Sequence, residues 1–172
     1  CDLSNKDAIY SKAEQLKKEV GTVDILINNA GIVSGKPFMD CSDEQIETTM
    51  AVNTMSIMWI TRAFLPDMID KDSGHIVNIA SAAGLIGVAA LADYSASKFA
   101  AFGFDESIRV ELKKRKSNVK TTIVCPYYIN TGMFHGVKSR FSWLLPILDE
   151  NKVANRIIKA IRNNRERLLM PW

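Results

Sequence analysis

Histidine is scarce, cysteine is unpaired and no long apolar run interrupts the chain; each shortage removes a class of function. His75 and His135 stand far apart with no partner pattern, so no metal site is expected. Cys1, Cys41 and Cys125 are an odd set without C-x-x-C spacing and read as reduced thiols of a cytosol-facing protein, not a disulfide framework. No apolar stretch reaches transmembrane length, and no signal-peptide pattern opens the chain. The formal net charge is only +3. Basic residues gather at one end and no recognised binding motif accompanies them, so nucleic acid is not an expected partner. An initiator methionine is also lacking: Cys1-Asp2-Leu3 runs straight into a helical pattern and reads as the end of a strand that begins upstream.

What is present fits one domain. The 172 residues are 47% apolar and 24% charged, ordinary for an α/β protein with a real core. Ser4 with Asp7 forms a capping box, followed by Ile9, Ala13, Leu16 and Val20 at helical spacing, and Gly21 stops the run. Asp24 to Asn29 has strand length and ends in Ala30-Gly31. Ser42 and Gln45 open a second helix through Ile46, Met50, Asn53, Ile57 and Ile60 towards Met68. After a turn at Asp72-Ser73-Gly74, His75 to Ser81 reads as a strand, 82–90 as a small-residue loop and 92–116 as a long helix. Val119 to Cys125 is a buried strand ended by Pro126; a helix at 151–162 and a short strand at 168–170 follow. Alternation of this kind predicts a doubly wound parallel sheet with helices on both faces. Ligands of such sheets bind at the carboxyl ends of the strands, which gathers Asn28 to Gly31, Ser81 to Ala83 and Pro126 to Thr131 on one rim.

Tyr94 and Lys98 stand four residues apart near the start of the long helix and project from one face. A phenol with a reference pKa near 10 is a poor base at neutral pH, and a nearby ammonium favours its phenolate. The pair alone is weak evidence, because Tyr-x-x-x-Lys occurs by chance in many chains. Ser81, ending the preceding strand, adds a hydroxyl donor, and Asn28-Asn29-Ala30-Gly31 ends the neighbouring strand in residues small enough for a ligand to reach the backbone.

The ordered set Asn28-Asn29-Ala30-Gly31, Val52-Asn53, Ser81 and Tyr94-x-x-x-Lys98 resembles the short-chain dehydrogenase/reductase family over essentially the whole chain. The resemblance implies a Rossmann-like fold and hydride transfer between an alcohol or carbonyl and NAD or NADP. It implies that Tyr94 is the general acid/base, that Lys98 binds the nicotinamide ribose and favours the phenolate, and that Ser81 holds the substrate oxygen. Asn53 would support a water joining Lys98 to solvent. Asn29, Ala30 and Gly31 would line the adenosine and ribose side, and Asp2 with Leu3 would meet the adenine. Pro126, Ile129 and Thr131 would complete the cofactor contacts, Thr131 at the carboxamide. Each role has a plainer rival: Ser81 as a strand-end cap, Asn53 as a helix amide bonded to backbone, Asn28 to Gly31 as only a turn.

The chain also departs from the family pattern. It has no opening strand with a Gly-rich turn for the pyrophosphate; Gly35 and the Gly84/Gly87 pair lie in the wrong context. The expectation is the C-terminal part of a Rossmann-like domain, short of its first strands by about 60 residues. Its exposed apolar edge and poor dinucleotide binding by the chain alone follow from that. NAD versus NADP is unreadable for the same reason. Tyr127 stands where many members place glycine.

The apolar and aromatic stretch around Met133, Phe134, Phe141, Trp143 and Ile147, with Ala92-Asp93-Tyr94 and Phe99 to Phe104, is similar to the epidermal retinol dehydrogenase branch. That likeness implies a lipophilic substrate (retinol or retinal, a steroid or another lipid alcohol) touching Ser81, Met133 and Phe134. Membership of that branch implies a homodimer in the full-length form, at the endoplasmic reticulum membrane or a lipid droplet. The terminal helix, basic at Lys152, Arg156, Lys159 and Arg162 and apolar at Val153, Ile157, Ile158 and Ile161, reads either as membrane-surface attachment or as a solvated face over a core stripe. A catalytically inactive truncated product or dimerising partner with the same fold is the alternative to an active oxidoreductase.

Overall fold

The computed structural model describes residues 1–133 and 143–171. Its first helix, α1 (Lys6–Val20), is capped by Asn5, whose side chain accepts from the Asp7 and Ala8 amides at 3.0 Å each. The capping box expected at Ser4 is displaced by one residue, because the Ser4 amide and hydroxyl both donate to Asp2 Oδ1. Ile9 and Ala13 are the buried positions of α1, and Gly21 ends it with φ +73°, a conformation that favours glycine.

Four strands, β1 (Ile25–Asn28), β2 (His75–Ile79), β3 (Lys120–Cys125) and β4 (Arg167–Leu169), pair in parallel in that order. Parallel neighbours need crossovers, and each is helical. Helices α2 (Asp43–Met50) and α3 (Ser56–Asp70) join β1 to β2, α4 (Ala92–Lys114) joins β2 to β3, and α5 (Glu150–Arg162) joins β3 to β4. Strand alternation sorts the core onto two faces. Ile76 packs with Met68 of α3 and Leu112 of α4 on one side, and Val77 with Val124, Leu168 and Val153 of α5 on the other. Full burial of a side chain of this kind contributes roughly 1.5–3 kcal/mol. β1 forms an edge, and its Ile25 and Ile27 are 50% and 51% exposed.

A polar chain crosses the helical face of the sheet. Asn28 Nδ2 donates to Asn78 Oδ1 at 2.8 Å, and Asn78 Nδ2 donates to Asp105 Oδ1 at 2.8 Å. Asp105 is fully buried and also receives Arg109 and Thr121; burial outweighs these donors and holds its carboxyl up at about 6.

The single helix expected between Ser42 and Met68 is broken in two. Ser42 and Gln45 do form their capping box. A π turn, Ala51–Met55, then separates α2 from α3 and buries Asn53 and Thr54. The Thr54 hydroxyl donates to the Ser97 carbonyl of α4 at 3.0 Å. α4 also ends before its expected limit, because Lys116 takes φ +57°.

Candidate active site

The carboxyl ends of β1, β2 and β3 open onto one crevice of about 250 Å³. It brings together Asn29 and Gly31 after β1, Ser81 after β2, Tyr94 and Lys98 of α4, and Pro126, Ile129, Thr131 and Met133 after β3. Phe134 lies outside the described residues. Leu3 and Ala30 line a separate, larger groove of about 360 Å³ beside α1, which Asn29 shares. Asp2, its carboxylate held by Ser4, is on the surface.

Ser81 performs two tasks. Its Oγ accepts from the Ala83 amide at 3.1 Å, capping the short turn Ala82–Gly84, and its side chain hydrogen-bonds the Tyr94 phenol. The rival role of strand-end cap is therefore real, and it leaves the Ser81 proton free to donate to Tyr94. Tyr94 and Lys98 are 4% and 3% exposed. The Lys98 ammonium sits 5.6 Å from the Tyr94 ring centroid and donates to the Ile79 carbonyl at 2.9 Å.

Burial changes the electrostatics expected from the pair. The Tyr94 phenol is pushed up from its ordinary value, chiefly by desolvation, with the Ser81 hydrogen bond pulling the other way. A lowered phenol, the expectation from four-residue spacing to an ammonium, is not found. Desolvation also brings Lys98 down to about 8.

Asn53 is fully buried and behaves as a double brace. Its Oδ1 accepts from the Ile32 amide at 2.8 Å, and its Nδ2 donates to the Ile32 carbonyl at 2.8 Å and to Ser97 Oγ at 3.0 Å. The partner backbone belongs to the loop after β1, not to the residue's own helix. That loop presses on the site: a Cβ at Gly31 would stand 3.3 Å from Lys98 Nζ and 3.4 Å from Asn53 Oδ1. Of the paired asparagines, Asn28 faces the interior while Asn29 lines the crevice.

Sequence reasoning missed several participants. Ser97, buried inside the Tyr94-x-x-x-Lys98 spacing, donates its hydroxyl to the Tyr94 carbonyl at 2.7 Å and accepts from Asn53. Tyr127 lines the crevice and makes an edge-on pair with Tyr128, centroids 4.8 Å apart. Ala82, Ala83, Ile86, Val88 and Leu91 join these two rings in a small apolar pocket beside Ser81. A run of small and apolar residues between Ser81 and Tyr94 was the available signal for that pocket.

A doubly wound parallel sheet with a polar crevice at its strand ends defines the Rossmann-like α/β class. Within it, this chain belongs to the short chain dehydrogenase family, which residues 1–141 match. It is 53% identical over 172 residues to epidermal retinol dehydrogenase 2 of Homo sapiens, covering 99% of this chain and 56% of that protein. The chain thus spans about half the length of the curated relatives it matches. Among solved structures it resembles a metagenomic short-chain oxidoreductase in complex with NADP: TM-score 0.80, 30% identity, 99% of this chain and 71% of that one. A short chain dehydrogenase/reductase of Burkholderia phymatum in complex with NAD gives TM-score 0.83 at 25% identity, covering 98% and 68%.

Proposed function

We propose that this chain carries the acid/base and substrate side of an NAD(P)-dependent oxidoreductase that interconverts a lipophilic alcohol and its carbonyl. The observation that carries the proposal is the meeting of Tyr94, Ser81 and Lys98 in one crevice. Intact residues of this kind weigh against an inactive partner.

The crevice suits the nicotinamide and ribose end of a dinucleotide. The Lys98 ammonium has donors beyond the one given to Ile79, and Gly31 leaves the floor open where a side chain would crowd Lys98 and Asn53. Lys98 would hold the ribose hydroxyls, Thr131 the carboxamide, and Asn29, Gly31, Pro126 and Ile129 the walls; Ala30, Leu3 and Asp2 would lie towards the adenosine end. When bound, the nicotinamide gives or takes a hydride at the substrate carbon.

The chain's own residues manage the proton. Ser81 and Tyr94 would both meet the substrate oxygen, Ser81 by donating a hydrogen bond and Tyr94 by exchanging the proton. A phenol pushed up by burial keeps its proton at neutral pH and is ready to donate it to a developing alkoxide during carbonyl reduction. Alcohol oxidation needs the phenolate and gains from alkali. Lys98, still charged below about 8, favours that phenolate through its ammonium. Asn53 would order the Gly31–Ile32 loop for a water reaching Lys98.

The reading of the substrate as a lipid alcohol, retinol foremost, is supported by the pocket beside Ser81, walled by Ile86, Val88, Leu91 and two tyrosine rings. The retinol dehydrogenase named above and Met133 in the crevice support the same class. The complete protein would be a homodimer pairing through the α2–α3 and α4 helices, where Phe99 and Val110 of α4 stand exposed. Among the described residues no helix is long and apolar enough to cross a membrane. Attachment to the endoplasmic reticulum or a lipid droplet rests on family likeness and on the basic face of α5.

Turnover of all-trans-retinol by the complete protein with NAD or NADP, wild type against Tyr94→Phe, tests the reading. Loss of roughly 10²–10⁴-fold in kcat with an unchanged fold is expected. Retained turnover in the phenylalanine variant would remove the acid/base assignment.

A further inference from the structure

We propose that Asp93 is a positioning residue for Tyr94, a buried carboxylate that locks the first turn of α4 to the loop after β1 and to α2. The proposal rests on the acid/base reading of Tyr94. Asp93 is 4% exposed. Its Oδ1 accepts from the Ser34 hydroxyl at 2.8 Å and its Oδ2 from the Thr49 hydroxyl at 3.0 Å. Among the described residues no lysine, arginine or histidine forms an ion pair with it. A carboxylate buried with hydroxyl partners alone is costly, so packing by itself does not account for the residue.

Its location gives the cost a use. Asp93 is the second residue of α4, where helix amides favour negative charge, and it directly precedes Tyr94. The cap residue Leu91 makes no side-chain cap bond, and Asp93 ties this turn to Ser34 and Thr49. Ser34 stands three residues after Gly31, whose α-carbon faces Lys98 Nζ, and Thr49 stands one helical turn before Asn53. The loop 31–34 is thus latched to the α2–α4 layer twice, by Asn53 at Ile32 and by Asp93 at Ser34. Release of the second latch frees the turn that aims the phenol at Ser81, while Lys98, one turn further along, keeps its bond to Ile79.

The test uses the complete protein with all-trans-retinol and its preferred nicotinamide cofactor, comparing Asp93→Ala, Asp93→Asn, Ser34→Ala and Tyr94→Phe. Steady-state kinetics are paired with pH titration of tyrosinate absorbance, from which the Tyr94→Phe curve isolates the Tyr94 phenol. Asp93→Ala is expected to lose roughly 10- to 100-fold in kcat, the scale of a 1 Å misplacement, at near-normal KM, and to shift the Tyr94 titration. Asp93→Asn should recover most of both, since its amide oxygen still accepts one hydroxyl and its amide nitrogen donates to the other. Ser34→Ala, which cuts one arm on a partly exposed loop, should shift kcat the same way by less, and it decides the matter if Asp93→Ala does not fold. Wild-type kcat and titration in folded Asp93→Ala, or equal damage in Asp93→Asn, would overturn the positioning role. If Tyr94→Phe is inactive while Asp93→Ala and Ser34→Ala are normal, only the positioning role falls; if Tyr94→Phe is active, the acid/base reading falls with it.

Discussion

Gly84→Ala is predicted to damage catalysis through backbone contact alone. Gly84 closes the short turn that Ser81 caps and lies against α4, where an added methyl would meet the Lys98 carbonyl oxygen at 2.6 Å and its carbon at 2.8 Å. Comfortable contact begins near about 3.5 Å, so turn and helix must separate by roughly 1 Å. Neither side is a flexible side-chain end that can swing away: one is a loop anchored by Ser81, the other a helix interior. Overpacking of this kind costs about 1–3 kcal/mol of stability. The same separation draws Ser81 on the turn away from Tyr94 on the helix, and a 1 Å misplacement costs about 10²-fold in rate. Thermal unfolding and, on the function proposed above, retinol turnover of the complete protein measure both effects. Gly103→Ala is the control, in the same helix with nothing within 4 Å of the added methyl. Helix propensity alone predicts that it is neutral or stabilising by up to about 1 kcal/mol. A Gly84→Ala protein as stable and active as wild type would refute the contact argument.

Two pH dependences follow from buried bases. Lys98 falls from 10.5 to about 8 on folding, so between those values the unfolded chain binds the extra proton and stability rises with pH, by roughly 3 kcal/mol at most. Urea unfolding across that range should show this rise in wild type and not in Lys98→Met. His75 is buried, with Nε2 2.8 Å from the Thr122 hydroxyl, and is held below 6.5 mainly by desolvation and secondarily by Lys120. The unfolded chain therefore protonates first, and stability should fall as pH drops through 6.5, a loss that His75→Gln reduces in the same unfolding assay.

The frame of the molecule was legible because hydrophobic period and turn residues act locally. The strand read at Asp24 to Asn29 and found at Ile25–Asn28, the Ser42–Gln45 box and the long helix from Ala92 all lie where the pattern put them. The rim was legible for a similar reason: in a parallel sheet every strand's carboxyl end points one way, so Asn29, Ser81 and Pro126 had to meet. What escaped is set by single side chains choosing among partners. Ser4 was a plausible cap, but Asp2 took its hydroxyl and Asn5 took the helix. The π turn at Ala51–Met55 escaped because one extra residue hardly disturbs an apolar stripe. Its cause is tertiary: Asn53 and Thr54 reach Ser97, and Asn53 also reaches Ile32.

The electrostatics of the site escaped for a deeper reason, and they bear on the direction of reaction. Spacing along a helix says that Tyr94 and Lys98 are neighbours, and from neighbours in water one expects an ammonium to draw out a phenolate. Folding moves both groups out of water, and desolvation opposes each charge separately: the phenol rises and the ammonium falls to about 8. At neutral pH the pair is then a protonated phenol beside a lysine that is still charged. Ser81 partly reverses the rise of the phenol without adding a charge, which makes its hydroxyl a tuning group. Such a site holds its proton ready to give. On the acid/base reading proposed above, it would give that proton to a carbonyl oxygen at neutral pH and would reach the base that alcohol oxidation needs only as the solution becomes alkaline.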